Sequence, residues 1–181
     1  MDIRHFNRII MDDVRVKDQK DKELLTASRL SAKIEISPLL QGKISISNVQ
    51  FYGFDIRLYQ EKKGGQPNFQ FLIDAFSKKD GGPSDPNLRV NSVLIRRGKL
   101  SWHRLDRPAT PGRFNPDHIV LDKVSATLSL KQYTKDSLNL NVKKISFEEQ
   151  SGLQLRQLGF RLTANEHEAR LEDFTLEMPH S

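Results

Sequence analysis

Residues 43–58 read "KISISNVQFYGFDIRL". They begin as an amphipathic strand, with Ile44 and Ile46 on one parity and Ser45 and Ser47 on the other. The beat then moves to odd positions at Val49 and Phe51, and after Gly53 it returns to even ones at Phe54, Ile56 and Leu58. One inserted residue throws every later side chain of a strand onto the opposite face. A β-bulge absorbs the extra residue by placing two residues opposite one, so the strand bends and its apolar face is kept. The slip therefore reads as a corner inside a strand, although a tight two-residue turn between strands fits any single slip as well.

Written as apolar-x-apolar-x-x-apolar-x-apolar, the figure occurs eight times. It runs through Ile9, Met11, Val14 and Val16, then Leu25, Ala27, Leu30 and Ala32, then Ile44, Ile46, Val49 and Phe51. Leu88, Val90, Val93 and Ile95 follow, then Ile119, Leu121, Val124 and Ala126, then Leu140, Val142, Ile145 and Phe147. Leu153, Leu155, Leu158 and Phe160 precede the last copy, Ala169, Leu171, Phe174 and Leu176. The two middle positions are never apolar, from Asp12-Asp13 and Ser28-Arg29 to Lys143-Lys144 and Glu172-Asp173. With an apolar frequency of 36%, about 174 windows should give roughly 0.5 clean matches by chance, and five of the eight are clean. Several copies go on alternating beyond the slip, which predicts antiparallel strands of about 10–12 residues joined by short turns.

Two insertions break this rhythm, at about 61–87 and 103–118. In the first, "PNFQFLIDAF" sets Phe69, Leu72, Ile73 and Phe76 at helical spacing, with Asn68 as the expected N-cap. One short helix near 68–77 is predicted, packing its phenylalanines on a rim of the sheet or plugging it. The second insertion is proline-rich and holds Phe114. Both read as loops at one rim.

The chain has 181 residues and no cysteine, which excludes disulfides, thiolate metal sites and cysteine nucleophiles. Hydrophobic residues are 36% and charged ones 29%, so folding is expected around a narrow apolar face. No run approaches the roughly 20 apolar residues of a membrane span, and "MDIRHFNRII" lacks the apolar region of a signal peptide. A formal charge of +6, dispersed among acids, reads as a solvated strand face and points to no nucleic acid. Glycine-rich phosphate loops, nucleophile elbows and zinc-protease helices are missing. His103 and His118 bracket the second insertion with Asp106 and Asp117, but their spacing matches no metal-ligand pattern. No catalytic residue, metal or cofactor is nominated.

The stretch "MDDVRVKDQKDKELLTASRLSAKIEISPLLQGKISISNVQFYGFDIRLYQ", with "NFQFLIDAF" and "VNSVLIRRGKLSW", resembles the repeating β region of the TamB family. These are translocation and assembly module subunits of diderm bacteria, within the AsmA-like superfamily. The resemblance covers nearly the whole chain and rests on degenerate strand patterns. It implies a mainly β fold, with long bulged antiparallel strands forming a curved open groove (a β-taco). It also implies a periplasmic parent protein anchored in the inner membrane and partnered with an outer-membrane barrel of the TamA type. The implied work is envelope biogenesis and protein secretion, with phospholipid acyl chains carried along the groove and no enzymatic step. Residues 1–181 are then expected to be a single groove segment of a longer protein. The anchor and the C-terminal family domain would belong to other parts of the parent.

The expected lining is Ile44, Ile46, Val49, Phe51, Val93, Ile95, Val124, Leu128, Leu158 and Phe160. Acyl chains are held by area, at about 25 cal/mol per Å² removed from water, so such a lining needs no acid, base or metal. A truncated groove exposes strand edges, so edge-to-edge self-association is expected. The same faces could instead meet in a closed β-sandwich serving protein contacts. Pattern alone favours that closed core, and the resemblance reverses the choice.

Overall fold

A computed structural model describes residues 8–35, 44–77, 88–134 and 136–179. The strands are β1 (Arg8–Lys17), β2 (Glu23–Ile34), β3 (Ile44–Gln60), β4 (Leu88–Arg104), β5 (His118–Tyr133), β6 (Ser137–Glu149), β7 (Gln154–Asn165) and β8 (Ala169–Glu177). One helix, α1 (Gln70–Ser77), lies between β3 and β4. Each strand holds one of the eight sequence figures, except that Leu153 of the seventh just precedes β7, and every slip falls inside a strand rather than at a turn between strands.

Backbone dihedrals show how the slips are made. Asp13, Lys123 and Asp173 have φ of 52°, 52° and 53°, so the second residue of each pair is left-handed. Gly53 at 59° makes the second slip of the opening stretch, and Arg97 at 54° makes its counterpart in β4. A non-glycine residue in this region costs roughly 1–2 kcal/mol, which the surrounding ladder must over-determine. The slips also align from strand to strand. Asp13 stands beside Ser28 between the pairs Asp12↔Arg29 and Val14↔Ala27. Ser28 stands beside Gly53 between Arg29↔Tyr52 and Ala27↔Phe54, and Gly53 is level with Arg97. Further along, β5 and β6 step in register between Asp122 and Ser125, and β7 and β8 between Gly159 and Arg161. From Asp13 through Ser28 and Gly53 to Arg97 the slips face one another and the register passes unchanged. These are matched kinks rather than the expected two-against-one bulges, which occur at the β5–β6 and β7–β8 steps; both bend neighbouring strands at one level.

The strands form one eight-stranded sheet in the order β1-β2-β3-β4-β5-β6-β7-β8. Substantial contacts join only neighbouring strands, so among the described residues no second sheet covers the first. The closed sandwich, in which two apolar faces meet, does not form among them. The sheet remains open, and among the described residues no large side chain is fully buried. Strands are longer than the sequence figures suggest, with 17 residues in β3 and in β4.

One pairing departs from the antiparallel expectation: β3 and β4 are parallel, with Val49↔Val93 and Phe51↔Ile95 in register. Parallel neighbours need a crossover back to the starting end, and the 61–87 insertion supplies it. That insertion is therefore not a loop confined to one rim, as the 105–117 segment is. Asn68 also departs from its expected role as N-cap. Its side-chain oxygen accepts from the Tyr59 amide at 3.0 Å, and its amide donates to the Arg57 carbonyl at 2.9 Å. Beyond Ile56 the edge of β3 has lost β2 as a partner, and Asn68 takes its place.

Candidate functional site

Residues directly opposite one another in a sheet point to the same face. The registers therefore extend the expected lining into rows. Met11, Leu30, Phe51, Ile95, Ala126, Ile145, Leu158 and Leu176 are successive partners through all eight strands. At about 4.8 Å per strand this row is roughly 34 Å long. A second row joins Ile9, Ala32, Val49, Val93, Leu128, Val142 and Phe160. A third runs from Ile34 through Ile46, Val90, Leu130, Leu140 and Leu162 to Leu171. The expected lining residues thus fall into adjacent rows, except that Ile44 pairs with Leu88 and its side chain lies outside the described residues. Val124 belongs to a further row with Val14, Ala27, Phe54 and Gly98.

Direct contact across the crease confirms that the face survives the slip. Phe51 and Phe54, of opposite parity, stack with ring centroids 4.8 Å apart and an interplanar angle of 2°. Phe54 is only 5% exposed because Gly98 leaves room for it. A Cβ added at Gly98 would lie 1.9 Å from the Phe54 Cζ. Phe54 and Gly98 were missed as members of the site; a glycine inside a strand pattern, which marks close approach, was the available signal. Along the rows, Val49, Phe51, Val93, Ile95, Leu128, Leu158 and Phe160 are half-buried, and exposure rises at the edges, to 49% for Ile9 and 56% for Leu171. The apolar face is shielded by its own neighbours and by nothing above it among the described residues.

The opposite face is polar and cross-linked by charge. Arg57 pairs with Glu23 at 3.0 Å and Asp55 at 2.7 Å, and Lys99 with Asp122 at 3.6 Å. A cavity of about 670 Å³ lies at the crease, lined by Asp12, Arg29, Tyr52 and Arg96 among others, and belongs mainly to this polar side. Sequence alternation gave no sign of it.

Two turns at one rim hold buried carboxylates. Asp18, 7% exposed, accepts from Tyr59 Oη at 2.7 Å and from the Lys20 and Lys22 amides at 2.8 and 3.0 Å. Burial opposes its ionisation, but these hydrogen bonds outweigh it and hold the carboxyl below its ordinary value. Burial and the Asp18 hydrogen bond push the Tyr59 phenol up to about 12. Glu149 is held in the same way by the Ser151 amide at 2.8 Å and by the Ser151 hydroxyl. These carboxylates close turns and approach no apolar row. Phe69, Phe71 and Leu72 near the start of α1 are half-buried, while the side chains of Ile73 and Phe76 lie outside the described residues.

His103 and His118 do meet, with their Nδ1 atoms 3.1 Å apart. His118 Nε2 lies 2.8 Å from the Arg107 carbonyl, to which it donates. Burial, then the neighbouring His118, lowers the His103 value. Asp106 and Asp117 are engaged by Arg104 at 3.0 and 3.2 Å rather than turned to the imidazoles. Among the described residues, no three His, Cys, Asp or Glu side chains are placed to hold a metal ion.

No protein-family model matches the chain, and no curated protein matches it.

Proposed function

We propose that this chain is a length of open trough whose apolar face carries phospholipid acyl chains between inner and outer membranes. It would serve as a TamB-like, AsmA-like segment of an envelope translocation and assembly module. On this reading the parent is periplasmic and anchored in the inner membrane, and it meets an outer-membrane barrel of the TamA type through other parts of its chain. The segment is non-catalytic. The observation that supports the reading is the continuity of apolar rows across eight sequential strands, on a face with no covering layer among the described residues. Each buried methylene contributes about 0.8 kcal/mol, so half-burying a chain of about 16 carbons contributes roughly 6 kcal/mol. That is enough to hold lipid and weak enough to let it slide. A photoreactive residue at Phe160 or Val124 in cells is expected to give a phospholipid adduct, and one at Ser125, on the polar face, is expected not to. Adduct yields equal at these positions refute the proposal.

A further inference from the structure

β1 and β8 end the sheet order, so each presents backbone N–H and C=O groups with no strand partner among the described residues. Every residue of β8 is exposed, including Phe174 at 59% and Leu176 at 54%. The two edges differ from the interior in the charge at their slips. Ser47-Asn48, Asn91-Ser92 and Asp122-Lys123 sum to zero, and Ser28-Arg29, Lys143-Lys144 and Arg156-Gln157 are positive. Asp12-Asp13 of β1 and Glu172-Asp173 of β8 are the acidic pairs, and they occupy the two edges. Within the sheet, an adjacent strand answers such charges: Arg29 meets Asp12 at 2.7 Å, and Glu148 meets Lys123 at 2.9 Å. On β8, Arg161 alone among the described residues serves both Asp173 at 2.9 Å and Glu172 at 3.8 Å. One guanidinium faces two carboxylates, and the second side of the pair is open.

We infer that the β8 edge receives an extended strand that is apolar on the groove side and carries lysine or arginine at its own slip. A second copy of this chain does not fit that edge. In slip-to-slip register, β1 would set Asp12-Asp13 against Glu172-Asp173, and β8 against β8 would repeat the conflict. Like charges directly opposite one another destabilise a strand pair. The inference stands independently of what the apolar face carries.

The test uses a fluorescent peptide, LNLNVKKISF, copied from residues 138–147, and a second peptide with both lysines replaced by glutamate. Titrated with the intact protein at low salt, the lysine peptide is expected to bind about tenfold more tightly, falling below about twofold in 0.5 M salt. The variant Glu172→Gln/Asp173→Asn, in which asparagine tolerates the left-handed backbone, should remove the preference while circular dichroism stays unchanged. If neither peptide binds, the edge is blunted by its acids rather than keyed by them; if both bind equally, the edge takes strands without regard to the charge at their slips. A preference that survives neutralisation places binding elsewhere. Any of these results overturns the inference, and none bears on lipid adducts at Phe160.

Discussion

Gly98→Ala should be among the costliest single-carbon additions on the apolar face. The new Cβ would fall 1.9 Å from Cζ and 2.1 Å from Cε1 of Phe54, so the ring must leave its place. Its neighbours on this face are half-buried, so a displaced ring keeps about half of its contact. Losing roughly 100 Å² at about 25 cal/mol per Å² costs about 2.5 kcal/mol. Losing the 4.8 Å stack on Phe51 adds about 1 kcal/mol. The expected cost is thus about 3–4 kcal/mol, read from urea midpoints by circular dichroism. Phe54→Ala alone should cost about 3–5 kcal/mol. In that background the clash is gone, and Gly98→Ala should change stability by less than about 0.5 kcal/mol. A double-mutant cycle should therefore show coupling of about 3 kcal/mol. If the two substitutions add, Phe54 does not fill the space above Gly98, and the crease is packed differently from this account.

Four other outcomes follow from the same geometry. Because the Asp18 value is lowered on folding, its contribution is present above the unfolded value of 3.8 and is lost as pH falls through the folded value; Asp18→Asn should flatten the acid limb of a pH–stability profile. The Tyr59 value is raised, so its contribution holds below about 10 and fades as pH climbs to about 12, and Tyr59→Phe should remove that alkaline loss. Lys123, at φ 52°, should tolerate glycine within about 0.5 kcal/mol but lose about 1–2 kcal/mol on replacement by valine, by thermal denaturation. Arg57→Gln should cost less than about 1 kcal/mol despite two ion pairs, since its side chain is 52% exposed; a larger loss would show the polar face to be a cooperative network.

Most of the sheet was legible because its rule is local. A slip such as Ser47-Asn48 changes parity within four residues, and parity is what an alternating strand displays. The second slip at Gly53 could be read for the same reason, whereas its counterpart at Arg97 was hidden because Leu94 blurs the alternation around it. Pairing direction is not local. Nothing in "NFQFLIDAF" says whether β4 runs with or against β3; only a connection long enough for either hints at it. Asn68 was assigned to the helix it precedes, but the unpartnered amide of Tyr59 competes for the same side chain, and that amide is visible only once β2 is known to stop pairing at Ile56. The histidine contact likewise depends on β4 and β5 pairing at His103↔His118, a register the loop between them does not encode.

The single parallel step also sets the path of the polypeptide. With seven antiparallel pairings the first and last ribbons would run in opposite senses; here they run in the same sense, so the thread enters at one corner and leaves at the diagonally opposite one. Trimming residues 61–87 to a tight turn would force β4 to reverse, and Val93 and Ile95 could no longer meet Val49 and Phe51 in their present order. The length of that span is thus dictated by the oily rows themselves.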